Sequence, residues 1–364
     1  YWVPEGGGCE AILWVNGEPC GTFATKIVVT RHGNHYCDCF TRAAVPDTPV
    51  QLAIEFYAGH YVIGEQPFEE RPHRDFRFTA DKISVCTKNQ DVLDFILYLR
   101  VLLQLVEKLP ETSFRRADIL NVLTQVHQVL YYDPTATDAE TWHTSLAAAR
   151  RVMAPGLAQK NGGSAPTADL VGHSHIDTAW LWPMDETIKK IARTAANQFN
   201  LLDQYPEYRF IQSAAYHTWL MEQHYPQVFR QLQKRVADGR FELNGAVWVE
   251  CDCNIPSGER LVRQFLWGTR YIRDKFGKEQ RVFWLPDNFG YRAALPAVPG
   301  GKGQVVCPVG FVHQKRHIVG VANGGNGRNI AQHALVSRAG QNYAFCLRMG
   351  GHRRLHPCPR HTAL

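Results

Sequence analysis

From residue 168 onward, short β-rich runs alternate with longer stretches of helical periodicity, and this alternation is the strongest constraint on the fold. Runs rich in Val, Ile, Leu and Phe predict strands at 168–172, 209–214, 241–250 and 280–285. Helices are predicted between them at 186–204, 218–238 (kinked or split by Pro226) and 257–277. Alternating strands and helices predict a parallel sheet, either doubly wound or closed into a barrel.

The first 80 residues differ in character from the rest of the chain. Strand-like runs occur there at 11–15, 26–30 and 50–57. Asn16-Gly17 follows the first of them and is the strongest short hairpin signal. We therefore predict a β-rich, sandwich-like domain over residues 1–80.

A helical period begins near residue 90. The first helix, over 92–105, has apolar residues on nearly every side, so we predict that it is well buried. A second helix follows at 119–130, and Thr137 or Asp138 can cap a third. The predicted divisions after residue 80 are a helical segment at 81–160, an α/β domain at 161–296 and a tail at 297–364.

Charge is distributed unevenly along the chain. The formal net charge is +6, yet no Asp or Glu occurs in the 77 residues after Asp287, which hold ten Lys and Arg. Up to Asp287 there are 30 Lys and Arg against 34 Asp and Glu, a net charge of −4. A mildly acidic main body gives no reason to expect nucleic acid as a partner. No apolar run approaches the ~18 residues that a membrane span needs, so no membrane partner is expected either.

Ten cysteines are sparse over 364 residues. The pairs Cys37/Cys39 and Cys251/Cys253 are too close in sequence to cross-link distant segments. Reduced thiols in a cytoplasmic protein are therefore favoured over a disulfide framework. The oligomeric state, a homo-oligomer included, stays open.

Reactive side chains collect where the predicted parallel strands end. His175 and Asp177 follow the first strand, Glu250 and Asp252 end the third, and Asp287 follows the fourth. Ligands of parallel α/β sheets bind at the carboxyl ends of the strands. One topology would therefore bring these residues together.

Each of these residues also admits a structural interpretation. His175 and Asp177 alternate along an extended segment and can face one metal ion, or they can simply bond each other. Asp287 can attack an anomeric carbon as a nucleophile, or it can be a turn residue. Glu250 and Asp252 can bind substrate, support the site or lie at a solvated strand end. Trp180 nearby can pack in a core or stack on the apolar face of a sugar ring.

Three blocks of sequence resemble glycoside hydrolase family 38, the α-mannosidases, and its cytosolic and bacterial branch in particular. They are GHSHIDTAWLWP at 172–183, GAVWVE through NIPSGE at 245–259, and FWLPDNFGY at 283–291. The resemblance covers about residues 1–296, less clearly before 165. It implies a multidomain α/β protein with β-rich domains, a three-helix domain and a partial parallel (β/α) barrel of the family 38 catalytic type.

The resemblance also implies a site and a substrate class. A zinc ion would be held by His175, Asp177 and Asp287, together with a His far downstream. Asp287 would be the nucleophile of a retaining mechanism that passes through a covalent glycosyl-enzyme intermediate. Substrates would be α-mannosides or mannose-containing oligosaccharides. The predicted substrate-binding residues are Trp180, Trp248, Glu250 and Asp252.

Similarity to the family ends near residue 296. The family continues with an acid/base Asp, whereas residues 288–364 contain no acid at all. A shifted reading frame or a damaged gene model after about residue 296 is the simplest hypothesis. We expect the chain to turn over substrate weakly or not at all. Two alternatives stay open: a metal-dependent polysaccharide deacetylase with water as nucleophile, and a non-catalytic sugar-binding protein.

Overall fold

A computed structural model describes most of the first 288 residues and three short strands beyond them. The described residues are 2–7, 10–24, 39–41, 44–57, 79–132, 138–160, 167–180, 182–280, 282–285, 287–288, 305–306, 332–338 and 341–348. The chain forms two compact units. One is Cys86–Ala165, and the other combines Tyr1–Val85 with Pro166–Leu364.

Five strands precede the helical unit: β1 (Trp2–Gly7), β2 (Glu10–Val15), β3 (Glu18–Ala24), β4 (Leu52–Tyr57) and β5 (Thr79–Val85). They form an antiparallel sheet of order β3-β2-β4 and a separate antiparallel pair, β1-β5. The predicted strands at 11–15 and 50–57 and the hairpin between β2 and β3 are confirmed. Asn16 and Gly17 have φ values of 51° and 81°, as a tight hairpin turn requires. The predicted strand at 26–30 lies outside the described residues.

The helical unit contains α1 (Gln90–Lys108), α2 (Phe114–Val129) and α3 (Ala139–Ala158). Asp138 is the residue that caps α3, because its carboxylate accepts a hydrogen bond from the backbone N–H of Glu140. The prediction that α1 is buried on nearly every side is wrong. Packing against two neighbouring helices buries one stripe, including Phe95 and Leu102, and leaves Val101 and Leu103 each 45% exposed.

The remaining unit alternates strands and helices, as predicted. In chain order the elements are β6 (Thr167–His173), α4 (Met184–Gln204), β7 (Phe210–Gln212), α5 (Ala215–His224), α6 (Pro226–Ala237), β8 (Phe241–Leu243), α7 (Gly258–Phe276) and β9 (Val282–Phe283). Strands β6, β7 and β8 pair in parallel, and β9 joins through a parallel bridge between Gly245 and Phe283. The predicted parallel sheet is therefore confirmed.

Three further strands lie in the tail: β10 (Val305–Val306), β11 (Gln332–Arg338) and β12 (Gln341–Arg348). β10 pairs in parallel with β9, while β12 pairs antiparallel with β6 and with β11. The larger sheet thus has the order β11-β12-β6-β7-β8 and is mixed.

One predicted boundary needs correction. The strand predicted at 241–250 ends at Leu243, because the backbone turns away at Gly245 and Ala246, whose φ values are 124° and 58°. Residues 244–250 form a loop at the sheet edge instead. The predicted split of the 218–238 helix at Pro226 is confirmed: two helices meet at Tyr225 and Pro226, because proline cannot donate a backbone hydrogen bond inside a helix.

The antiparallel sheet and the α/β elements share one apolar core. Ile12 is buried in the same cluster as Phe199, Phe210 and Phe241. None of the helices in the described ranges combines the length and apolarity that a bilayer crossing requires.

Helix α7 holds the 244–250 loop at very close range. The backbone N–H of Trp248 donates to the carbonyl of Gln264 at 2.9 Å, and the Gln264 side chain accepts from the N–H of Val249 at 2.9 Å. Gly268 permits this approach, since a Cβ there would lie 2.6 Å from the carbonyl oxygen of Val247. The end of this loop, Glu250, is consequently fixed by a helix.

Replacing Gly268 by Ala should destabilise the fold, because the added methyl meets backbone atoms rather than a flexible side chain. The clash costs about 1–3 kcal/mol, reduced by roughly 1 kcal/mol of gained helix propensity. Urea unfolding would measure the difference. Gly258→Ala in the same helix is the matched control, since nothing lies within 4 Å of its added Cβ. Equal unfolding midpoints for the two variants would contradict this packing.

Candidate metal centre

Three potential ligands converge at the carboxyl edge of the parallel sheet. His175 and Asp177 follow β6, and Asp287 follows β9, about 110 residues later in the sequence. One ligand atom from each lies within 4.8 Å of the other two. Nε2 of His175 is 3.3 Å from Oδ1 of Asp177 and 3.5 Å from Oδ2 of Asp287. The structure therefore brings together the residues that we predicted as metal ligands.

These separations fit one small divalent cation. Tetrahedral Zn²⁺ with ligand distances of about 2.0–2.2 Å places its ligand atoms about 3.3–3.6 Å apart. The two measured pairs fall in that range without any movement. One imidazole nitrogen and two carboxylates are also the donor types that zinc accepts.

Glu250 fixes the orientation of the His175 ring. Oε2 of Glu250 lies 2.6 Å from Nδ1 of His175, and the hydroxyl of Ser213 donates to Oε1 of the same carboxylate. Ser213 lies in turn 3.2 Å from Nε2 of the buried His173. This chain of contacts directs Nε2 of His175 towards the two aspartates.

The electrostatics of the cluster favour positive charge at its centre. Burial lowers the pKa of His175, but hydrogen bonds and charges from Asp177 and Glu250 outweigh burial and raise this pKa to about 10. Burial raises the pKa of Glu250, yet its bonds to His175 and Ser213 bring that pKa below its usual range. For Asp287, burial is the largest influence and raises the pKa. The carboxylates that stabilise the protonated ring of His175 would also stabilise a metal cation at this centre.

A cleft of about 170 Å³ opens beside Asp287. Its lining residues are Glu250, Cys251, Asp252, Leu285, Asp287 and Asn288. Asp252 borders this cleft and also stabilises the local turn, because its Oδ1 accepts from the backbone N–H groups of Asn254 and Ile255 at 2.6 and 2.8 Å.

The two predicted tryptophans occupy different surroundings. Trp180, three residues after Asp177, is 48% exposed and meets Trp182 edge to face, with ring centroids 5.4 Å apart. Trp248 is instead partly buried in an aromatic group with Tyr216, at 5.5 Å, and Tyr271, at 5.7 Å. Trp180 therefore has an accessible ring, whereas the ring of Trp248 packs against Tyr216 and Tyr271.

Sequence reasoning missed Ser213 and His217. Ser213 directly follows β7, so the rule that selected the other strand ends would have found it. His217 lies in the first turn of α5, where its Nε2 is 3.1 Å from the hydroxyl of Thr178. Burial lowers the pKa of His217, and also that of His173, to about 4. Both rings are therefore neutral at pH 7.

Comparisons with known proteins find relatives for most of this chain. A model of the glycosyl hydrolases family 38 N-terminal domain matches residues 165–303. Alpha-mannosidase G of Dictyostelium discoideum is 34% identical over 300 residues, which cover 80% of this chain and 26% of that protein. Alpha-mannosidase 2C1 of Mus musculus is 36% identical over 305 residues, 83% of this chain and 28% of that protein. The alpha-mannosidase of Saccharomyces cerevisiae is 47% identical over 128 residues, 35% of this chain and 12% of that protein.

The matched relatives are much longer than this chain. It spans about a quarter of the length of the Dictyostelium and mouse proteins.

The buried His217 should make stability fall in acid. Its folded-state pKa of about 4 is below the usual 6.5, so between these values the unfolded chain binds the extra proton. The free energy of unfolding should therefore drop as pH falls through this window, by up to about 1.4 kcal/mol per pH unit for one such group. Glu250 and Asp177 oppose this shift and His175 reinforces it.

Two measurements check this expectation. NMR titration of the imidazole should give a His217 pKa well below 6, and urea unfolding across pH should be less steep for His217→Gln than for the wild type. A His217 pKa near 6.5 would contradict the burial described above.

Proposed function

This chain belongs to glycoside hydrolase family 38, whose N-terminal domain its residues 165–303 match, and on that premise we propose that it is part of a zinc-dependent, retaining α-mannosidase. The observation that carries the proposal is the convergence of His175, Asp177 and Asp287 on one point. The finer fold assignment is part of the same proposal: the parallel sheet begins a (β/α) barrel, and the N-terminal strands belong to a sandwich-like domain.

Each residue of the centre has a separate task in this proposal. His175 and the two aspartates would hold Zn²⁺, which supplies Lewis acidity and orients the hydroxyls of a mannose ring when bound. Glu250 keeps the His175 ring turned so that Nε2 faces the aspartates. Trp180 offers an exposed ring for stacking on the sugar.

Asp287 is the proposed nucleophile. A carboxylate oxygen of Asp287 forms a bond to the anomeric carbon while the bond from that carbon to the leaving oxygen breaks. Water then hydrolyses the glycosyl ester, so the configuration is retained after two inversions. Asp252 shares the cleft with Asp287 and can accept hydrogen bonds from sugar hydroxyls. For Trp248, packing against Tyr216 and Tyr271 favours a supporting role over contact with the sugar.

The leaving oxygen needs a proton from a general acid. No Asp or Glu occurs after Asp287 that could act as the general acid. We therefore propose that unactivated mannosides are cleaved weakly or not at all. Substrates with good leaving groups depend less on the acid. With such substrates, attack by the nucleophile can be measured without help from the general acid.

The proposed compartment is the cytoplasm. Cys39, Cys251 and Cys253 are free thiols, which suits a reducing environment.

A covalent trap would test the nucleophile directly. The zinc-loaded chain should react with a 5-fluoro-mannosyl fluoride, because fluoride departs without strong protonation and the fluorosugar slows hydrolysis of the ester. Peptide mass spectrometry should then find the sugar on Asp287. Asp287→Asn should lose at least 100-fold in labelling rate, since an amide is a poor nucleophile.

The matched control is Asp274→Asn, an exposed carboxylate on α7, which should label like the wild type. A folded, zinc-loaded chain without a sugar adduct would contradict the glycosidase proposal and favour an enzyme that uses water as nucleophile. An adduct on another residue would contradict the role of Asp287.

The Glu250 contact predicts a graded loss of zinc affinity. Glu250→Ala should weaken binding by about 10–100-fold, because nothing then orients Nδ1 of His175. Glu250→Gln should remain within a few-fold of the wild type, since its amide oxygen still accepts from that nitrogen. Competition with a chromophoric chelator would measure affinity, and the absorption spectrum of bound Co²⁺ would report ligand geometry.

Glu259→Ala is the control, an exposed glutamate in the first turn of α7 that pairs with Arg263. Equal affinities and equal cobalt spectra for Glu250→Ala and the wild type would refute an orienting role for Glu250.

A further inference from the structure

Two thiols lie at the wall of the cleft and take no part in the chemistry proposed for Asp287. Cys251 lines the cleft and is half-buried, whereas Cys253 is completely buried. The thiol of Cys253 donates to the carbonyl oxygen of Cys251, with Sγ 3.8 Å from that oxygen. The Cys253 thiol is therefore directed at the backbone of Cys251, whose own side chain borders the cleft.

Asn288 holds this pair in place. Its side-chain amide donates to the carbonyl oxygen of Cys251 at 2.9 Å and to Sγ of Cys253 at 3.2 Å. Asn288 directly follows Asp287 in the sequence. One amide group thus connects the two thiol-bearing residues to the segment that carries the proposed nucleophile.

The two thiols differ in accessibility and in acidity. The neighbouring Cys253 side chain is the largest influence on Cys251 and lowers the pKa of its thiol. The Cys251 side chain, followed by burial, raises the pKa of Cys253. Cys251 borders the cleft and Cys253 is buried, so Cys251 is suited to attack an incoming disulfide and Cys253 to a later step.

We propose that Cys251 and Cys253 form a thiol-modification site that exchanges with low-molecular-weight disulfides such as glutathione disulfide. Cys251 is the attacking residue and Cys253 the resolving residue. The product is a disulfide between residues 251 and 253 at the wall of the cleft. The site depends on the placement of the two sulfurs and not on mannosidase chemistry.

The exchange balances in two steps. The Cys251 thiolate attacks one sulfur of glutathione disulfide, the S–S bond breaks, and one glutathione leaves as a thiolate that takes up a proton. Cys251 then carries no negative charge that would disfavour a second thiolate beside it. Cys253 loses its proton, attacks the Cys251 sulfur and expels the second glutathione. Two cysteines are oxidised and one glutathione disulfide is reduced to two thiols.

Closing this disulfide changes the contacts of Asn288. The sulfur of Cys253 must turn towards Cys251, and the short ring shifts the backbone between them. The hydrogen bonds from the Asn288 amide therefore change on oxidation. Because Asn288 directly follows Asp287, a change in the hydrogen bonds of Asn288 also affects the segment that carries Asp287.

The sequence offers a clean assay. Cleavage after Arg240 and Arg260 releases a tryptic peptide, 241–260, that contains Cys251 and Cys253 and no other cysteine. The full-length reduced chain would be incubated with glutathione disulfide under native conditions, quenched in acid and digested. The wild-type peptide should lose two hydrogens and carry no glutathione.

Single substitutions identify the two roles. Cys253→Ser should stop at one glutathione on Cys251, because the resolving thiol is missing. Cys251→Ser should be modified on Cys253 at least ten-fold more slowly, because that thiol is buried. In urea the two variants should react at similar rates, which shows that the difference comes from the folded structure.

Three results would overturn the proposal. The first is a wild-type peptide that stays reduced under conditions in which Cys253→Ser accepts glutathione. The second is a wild-type peptide that keeps glutathione. The third is native Cys251→Ser reacting as fast as native Cys253→Ser.

Discussion

Parallel pairing of β6, β7, β8 and the β9 bridge is the constraint on which the site depends. Parallel strands all end at the same edge of a sheet, so residues that are distant in sequence meet there. His175 and Asp287 become neighbours in this way. The helices between the strands provide the apolar cover, and the polar residues at the strand ends remain available for chemistry.

Much of this arrangement could be predicted from the sequence, because the relevant signals are local. Hydrophobic runs separated by helical periods indicate a parallel sheet, and a His-x-Asp segment at a strand end indicates a shared facing direction. The exposed flank of α1 shows where local signals fail. An apolar helix surface predicts burial, but only neighbouring elements decide how much of it is covered.

The loop at 244–250 is the other part that sequence patterns did not predict. Its residues have strand-like composition, yet left-handed backbone at Ala246 and the contact with α7 turn the chain away from the sheet. Because the chain turns away from the sheet there, the Glu250 carboxylate reaches His175. A regular strand would have placed this carboxylate at the sheet edge, where we expected it to bind substrate. Ser213, whose hydroxyl supports Glu250, was missed although it directly follows β7 and the strand-end rule applies to it.

The close approach of α7 at Gly268 has a consequence for protein engineering. Because α7 contacts the backbone of the 244–250 loop, the position of Glu250 depends on this helix as well as on the bonds of Glu250 to Ser213 and His175. Libraries intended to broaden substrate range should therefore spare Gln264 and Gly268 of α7. Diversity around Trp180, which lies between β6 and α4, leaves these contacts unchanged.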